Sequence, residues 1–315
     1  MSTKNDVLRL LISSSNEYIS GQELAKMLKV SRAAVWKAIK SLEKDGFNIK
    51  AKTNKGYCLD DKNDILNAEI LKEKLGGLET HYYASIDSTN TQAKRLINEG
   101  NNSTILLVAD EQTEGRGRQG KSFYSPALTG IYMSYVFHPM ADFATSVSST
   151  TAAAVAVCRA IEGLSNKRPE IKWVNDVYLN GKKICGILCE AITDFETQTV
   201  SSVIVGIGMN IKTIDFPDFV ENASCLGENI KRADMIAKIT EELEKVLSGS
   251  YDDFIDYYRS HSMIIGKKID FIENGVVAHA TAIEIDPNGG LKVQLDSGEI
   301  KTLRSGEISI RKRSD

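Results

Sequence analysis

The chain has 315 residues, 42% of them hydrophobic, and a formal net charge of -3. That is enough apolar surface for at least one sizeable core and enough length for two or three domains, which excludes a disordered or fibrous chain. The charge is uneven: residues 1–62 carry 12 Lys and Arg against 7 Asp and Glu, the remainder 27 against 35, so a basic head precedes an acidic body. The five cysteines (Cys58, Cys158, Cys185, Cys189, Cys225) form no C-x-x-C pair and read as reduced, buried thiols. No apolar run is long enough to span a bilayer, so a cytoplasmic protein without membrane contact is expected. His81, His138, His261 and His279 lie apart, without metal-ligand spacing, and no metal site is expected among them.

In chain order, the spacing of Val7, Leu8, Leu11 and Ile12 predicts a first helix over 5–13. "SGQE" at 20–23 is a capping box that opens a second. Ser31 caps a third, with Val35, Ile39 and Leu42 on its buried stripe and Gly46 after its end. The opposite face of the third helix presents Arg32, Trp36, Lys37 and Lys40, a combination suited to a DNA major groove. "FNIKAKTNKGYCL" then alternates Phe47, Ile49 and Ala51 inward with Asn48, Lys50 and Lys52 outward, turns through Asn54 to Gly56, and reads as a two-stranded wing carrying Lys50, Lys52 and Lys55. Helix, helix, basic helix and basic wing resemble the winged helix-turn-helix family over residues 1–60. The alternative is a small helical interaction domain with solvated lysines. The acidic "DDKND" at 60–64 reads as a linker.

Beyond it, strands and helices alternate irregularly: "HYYASID", a helix over about 91–99, "TILLVAD", "IYMSYVF" and an Ala-rich helix near 146–163. This order predicts an α+β body rather than a βαβ repeat. Between the second and third of these strands, "GRGRQGKS" at 115–122 fits both the G-x-x-x-x-G-K-[ST] and the G-x-G-x-x-G patterns. Both require a helix to follow the glycines, and Phe123, Tyr124, Ser125, Pro126 and a strand from Ile131 leave no room for one. The stretch therefore reads as a flexible loop whose Arg116, Arg118 and Lys121 can fold over an anion. In "KWVNDVYLNGKKICGILCE", 172–190, the Asn180–Gly181 pair predicts a tight hairpin that brings Lys183 near Asn175 and Asp176. In "VIVGIGMNI", 203–211, Gly206 and Gly208 would let a flat ligand approach the backbone.

"STN" at 88–90, "EQTEGRGRQGKSFYSP" at 111–126, "KWVNDVYLNGKKICGILCE" and "GIGMNI" at 206–211 together resemble the biotin protein ligase family. With the winged helix ahead of them, the whole chain resembles the bifunctional ligases that also repress biotin operons. It departs from the family pattern at Phe123, Val174 and Lys121, where Trp, Pro and Arg are usual.

The resemblance implies an α+β multidomain protein. Its parts would be a winged helix-turn-helix over 1–62, a class II aminoacyl-tRNA synthetase-like (biotin/lipoate ligase) catalytic domain over 63–265, and an SH3-like C-terminal β-barrel over 266–315. The last accords with short alternating strands separated by "DPNGG" and "DSG". Biotin and ATP with Mg2+ would give biotinyl-5'-AMP, and the biotinyl group would pass to a lysine of a biotin carboxyl carrier protein. Ser88, Thr89, Asn90, Gln112, Gly115, Arg116, Lys183, Gly206 and Gly208 would hold biotin. Arg118, Lys121, Phe123, Asn175, Asp176 and Asn210 would serve the nucleotide, Asn175 and Asp176 also its magnesium. Lys183, Arg118, Arg116 and Lys121 would supply the catalytic charge. Ser31, Arg32, Trp36, Lys37, Lys40, Lys50, Lys52 and Lys55 would meet operator DNA, the adenylate-bound protein acting as a homodimer. The alternatives are a non-catalytic biotin-sensing transcription factor and a lipoate-type ligase on the same scaffold.

Overall fold

The computed structural model describes residues 3–311, apart from 15–16, 61, 140–145, 195, 197–198, 228–229 and 274–275. The N-terminal part consists of α1 (Thr3–Ser13), α2 (Gly21–Leu28), α3 (Arg32–Lys44) and the hairpin β1 (Ile49–Lys52) and β2 (Gly56–Leu59). Its helix starts follow local chemistry. Ser20 Oγ accepts from Glu23 N and the Glu23 carboxylate accepts from Ser20 N, both at 3.1 Å; Ser31 Oγ accepts from Ala34 N at 3.1 Å. Each such cap stabilises its helix by about 1 kcal/mol. Val7, Leu8, Leu11, Leu24, Val35, Ile39, Leu42 and Phe47 close a small core of their own.

Two expectations for this region are corrected. Ala51 is exposed rather than inward, because among the described residues β1 pairs only with β2 and Ala51 faces the open groove between the hairpin and α3. Nor is the acidic stretch a loose linker. Asp60 is buried and accepts from Asn48 Nδ2 at 3.1 Å and Lys62 N at 2.9 Å. Asp64 binds Lys212 Nζ and the Arg232 backbone N–H, each at 2.6 Å. Short carboxylates inside a protein need such partners, and these fasten the connector to the body.

The body runs α4 (Ala68–Lys74), β3 (Glu79–Tyr83), α5 (Thr89–Asn98), β4 (Ile105–Ala109), β5 (Gly130–Phe137), α6 (Ser146–Leu164), β6 (Glu170–Lys172), β7 (Asp176–Leu179), β8 (Lys182–Thr193), β9 (Val200–Asn210), α7 (Arg232–Ser248) and α8 (Asp252–Ser260). Its seven-stranded sheet has the order β3-β4-β5-β9-β8-β7-β6. Only β3 and β4 are parallel among these pairs. One face packs Leu106, Val108, Met133, Val205 and Ile207 with residues of α6 and α7, such as Val157, Ile161, Ile236 and Ile239. On the other face α5 packs Ala93 against Ile105, Leu107, Val136 and Ile204. Side chains alternate along a strand, so Gly206 and Gly208 continue the Ile204 face beyond α5, where a cleft opens.

The C-terminal strands β10 (Lys268–Glu273), β11 (Val276–Ile285), β12 (Leu291–Leu295), β13 (Ile300–Leu303) and β14 (Ile308–Ile310) form an antiparallel sheet of order β13-β12-β11-β10-β14. β13 and β14 are its edges and do not pair among the described residues. Ile269, Phe271, Leu291 and Val293 share the body's core. Trp173 Nε1 donates to Gly289 O at 2.9 Å, locking this sheet against the β6–β7 turn.

Candidate active site

The cleft is walled by the start of α5, the 112–123 loop, the β6–β7 turn, Lys183, the floor of β8 and β9, and Glu307 and Ile308 from the C-terminal sheet. The "GRGRQGKS" loop makes no phosphate-binding helix. Gly117 N donates to Lys121 O at 2.7 Å, Arg116 and Ser122 bridge in antiparallel fashion, and Arg118–Gly120 form a single 3₁₀ turn. A short ribbon folds over the cleft instead.

Its cations reach three different walls. Arg116 Nη2 lies 3.8 Å from Glu190 Oε1, Arg118 Nη1 donates to Asn175 Oδ1 at 3.0 Å, and Lys121 pairs with Glu307. Across the cleft Lys183 Nζ sits 2.7 Å from Asp176 Oδ1. A bulge helps aim it: Tyr178 pairs with Lys183 and Val177 with Cys185, leaving Ile184 unmatched and buried. Asn175 Nδ2 donates to Asp176 Oδ1 at 2.9 Å and to Ile187 O at 3.1 Å, which holds both groups on the sheet.

The inner end is a network of hydroxyl and amide groups anchored on one carboxylate, Glu190. Gln112 Oε1 accepts from Thr89 N at 2.9 Å, and Gln112 Nε2 donates to Ser125 Oγ at 3.0 Å. Ser134 Oγ lies 2.7 Å from Thr89 Oγ1 and 2.6 Å from Asn90 Oδ1. Asn90 Nδ2 donates to Leu188 O at 3.2 Å and Glu190 Oε2 at 2.9 Å. Ser88 caps α5 and lines the cleft. The two floor glycines have specific neighbours: a Cβ on Gly206 would strike the Asn90 amide, and one on Gly208 the Phe123 ring. They admit these side chains to the sheet surface as well as any flat ligand. Gly115 is equally constrained, since a Cβ there would meet Phe123 O and Ser125 Oγ.

Electrostatics follow from these contacts. Burial pushes the Glu190 carboxyl up, but hydrogen bonds from Lys94 and Asn90 outweigh it and hold it below the usual carboxylate range. The Lys121 hydrogen bond likewise lowers Glu307. Burial pushes the Lys172 ammonium down against the pull of Asp176. The Cys189 thiol is pushed up to about 12 by burial and stays protonated, as expected of an inert thiol.

Of the expected site residues, all but Gly115 and Asn210 line this one cleft. Gly115 lies just behind it, and Asn210 Nδ2 instead donates to Ser224 O at 3.1 Å. Sequence reasoning missed Ser125, Ser134, Lys172, Glu190 and Glu307. Ser134 left one signal, a small polar residue among the aliphatic and aromatic side chains of β5. Glu307 left none, because the C-terminal sheet delivers it.

A second surface lies on the N-terminal part. Arg32, Trp36, Lys52 and Asn54 line one groove between α3 and the hairpin, and Trp36 is 53% exposed. Lys40 pairs with Glu43 and Lys50 with Asp60, whereas Arg32, Lys37, Lys52 and Lys55 have no ion pair among the described residues.

Both surfaces lie on segments that match known protein families. Residues 82–210 match the Biotin/lipoate A/B protein ligase family, 3–58 an HTH domain and 264–311 the Biotin protein ligase C terminal domain. The bifunctional ligase/repressor BirA of Bacillus subtilis is 34% identical over 326 residues, covering 98% of each chain. This chain belongs to the biotin protein ligase family. Its kinship includes the BirA ligase/repressor of Escherichia coli, 28% identical over 96% of each chain. The solved biotin protein ligase from Aquifex aeolicus in complex with biotin and ATP is 28% identical, with a TM-score of 0.62. It covers 75% of this chain and 99% of that one. As a member of the biotin protein ligase family with an HTH domain, the chain has the two-part layout of a ligase/repressor.

Proposed function

We propose that this biotin protein ligase family member joins biotin to ATP, forming biotinyl-5'-AMP and pyrophosphate, and passes the biotinyl group to a lysine of a biotin carboxyl carrier protein. The observation that supports it most is the convergence of Arg116, Arg118, Lys121 and Lys183 on one cleft, each held on an oxygen acceptor. In the first step a biotin carboxylate oxygen bonds to the α-phosphorus while the bond from that phosphorus to the bridging oxygen breaks and pyrophosphate leaves. Anion attacks anion, so preplaced cations lower the barrier. Lys183 exchanges Asp176 for the carboxylate and α-phosphate. Arg118 and Lys121 meet the phosphates, with Phe123 beside the adenylate, and Arg116 closes the biotin end. In the second step the neutral carrier lysine amine attacks the acyl carbon, the bond from that carbon to the phosphate oxygen breaks so that AMP leaves, and the nitrogen releases a proton to solvent as the amide forms.

Thr89, Asn90, Gln112 and the backbone at Gly115, Gly206 and Gly208 orient the biotin ring system, with Ser88 at its edge. Asn210 supports the nucleotide side through the β9 end. Magnesium typically takes one or two carboxylates together with substrate phosphates. The polar donors at Asp176 and Asn175 suit that role, and no self-sufficient cluster of three or more His, Cys, Asp or Glu occurs among the described residues. Bound there, the ion would offset the charge of the departing pyrophosphate.

The further assignments belong to the same proposal. Residues 1–62 bind operator DNA through Ser31, Arg32, Trp36, Lys37, Lys40 and the wing lysines Lys50, Lys52 and Lys55. Residues 63–265 form a class II synthetase-like catalytic unit. Residues 266–315 form an SH3-like unit that brings Glu307 to Lys121. The adenylate-loaded protein binds operator half-sites as a homodimer, which would make ligand binding a signal through differential dimer affinity. No helix among the described residues is long and apolar enough to cross a membrane, in keeping with a cytoplasmic setting. Mass spectrometry of protein incubated with biotin and MgATP tests the reading. A retained biotinyl-adenylate supports it; bound biotin without adenylate, or adenylate formed from lipoate in its place, overturns it.

A further inference from the structure

Arg232 is the first residue of α7 and is fully buried. A cation at a helix N-terminus opposes the helix dipole, so helix formation does not explain an arginine there. Its partners do. Arg232 Nη1 donates to Asp110 Oδ1 at 2.5 Å and lies 3.5 Å from Gly130 O. Nη2 donates to Asp64 O at 2.6 Å, and Nε faces Asp64 Oδ2 at 3.4 Å. Asp110 immediately follows β4 and Gly130 opens β5. The guanidinium thus touches both ends of the segment 111–129, which carries Gln112, Arg116, Arg118, Lys121 and Phe123. Through Asp64 it also holds the connector from the N-terminal part.

We infer that Arg232 is a positioning residue: it pins the two ends of the ligand loop to each other and to the connector, so that the loop's cations close on the substrate in one register. A planar fork suits this because it serves several acceptors from a fixed frame. Displacing reacting groups by about 1 Å can cost on the order of 100-fold in rate, and a loop of this length with loose ends would wander by more. Between those ends the ribbon is held across the cleft by Arg118 on Asn175 and Lys121 on Glu307. Tyr132 adds a second hold by donating from its hydroxyl to Pro126 O at 2.9 Å. The kinetic part of the inference rests on the adenylation reading; the structural part does not.

The test compares the full-length protein with Arg232→Lys, Asp110→Asn and Lys212→Ala. Lys212 pairs with the same Asp64 but contacts neither loop end through its side chain. Trypsin cleavage after Arg116, Arg118 and Lys121 in ligand-free protein, located by mass spectrometry, reads the loop. The KM for biotin and kcat in pyrophosphate exchange read the register. Arg232→Lys and Asp110→Asn are expected to speed loop cleavage about tenfold relative to other sites, to raise the KM for biotin about tenfold and to lower kcat by up to about 100-fold. Lys212→Ala is expected to leave both near wild type. Wild-type loop cleavage and KM in variants with a native near-UV spectrum overturn the inference. Should Arg232→Lys fail to fold, Asp110→Asn decides alone. If the wild type shows no biotin-dependent exchange, the adenylation reading fails, and the cleavage comparison still decides whether Arg232 pins the loop.

Discussion

Lys183 and Asp176 meet across the β7–β8 hairpin with Nζ 2.7 Å from Oδ1, in a cleft to which the loop cations also point. The pair keeps the ammonium at the site in the absence of substrate. A phosphate with a carboxylate beside it outcompetes one aspartate for that ammonium. In the proposed reaction the ion pair is a placeholder for the reacting anions, and its loss on substrate entry would leave Asp176 available to hold a magnesium ion on the nucleotide.

Gly206→Ala tests the floor. The added Cβ meets the Asn90 amide, which is already held by Ser134 and Glu190 and cannot retreat freely. Overpacking of this kind costs about 1–3 kcal/mol. The expected outcome is a lower Tm together with a KM for biotin raised about tenfold, measured by calorimetry and by exchange kinetics.

Gly208→Ala should act on the other substrate. Its Cβ displaces the Phe123 ring, which packs edge-on against Tyr132 at 6.4 Å. The KM for ATP is expected to rise more than the KM for biotin, and the ratio of the two shifts measures the division of the cleft.

Glu190 supplies a pH signature. Its carboxyl is held below the ordinary range in the folded chain, so the stabilisation is present above the unfolded carboxyl value, about 4.3, and is lost as pH falls through the folded one. Tm should fall on acidification below about pH 4. Glu190→Gln should flatten that limb, as thermal melts over an acid series would show.

Much of this was legible locally. Ser20, Glu23 and Ser31 announced helix starts because caps are formed by near neighbours. Asn180 and Gly181 announced the hairpin because both adopt positive φ, 52° and 74°, a conformation those residue types favour. The absence of a helix after Gly120 followed from the residues that come next. What stayed hidden depends on distant chain. Asp64 looked like linker until Arg232, 168 residues away, supplied its partner. Gly206 and Gly208 read as space for a ligand, with no sign that Asn90 and Phe123 share that space. Ala51 followed the strand alternation, yet exposure depends on whether anything covers the strand.

DNA binding should be separable from chemistry. Lys37 carries no ion pair among the described residues and sits on α3, far in sequence from the cleft. Lys37→Ala should weaken DNA binding and reduce the slope of log affinity against log salt by about 1 if it meets one phosphate. Exchange activity should be retained. Fluorescence anisotropy across a salt series reads the first and a parallel exchange assay the second.

The most direct measurement is biotin-dependent exchange of labelled pyrophosphate into ATP by the wild type and by Lys183→Ala. Removing one preplaced charge from such a site costs on the order of 100- to 1,000-fold. Exchange that requires biotin and falls by that factor in the variant is the predicted result. Exchange undiminished in Lys183→Ala, or absent from the wild type at saturating MgATP, would contradict the account.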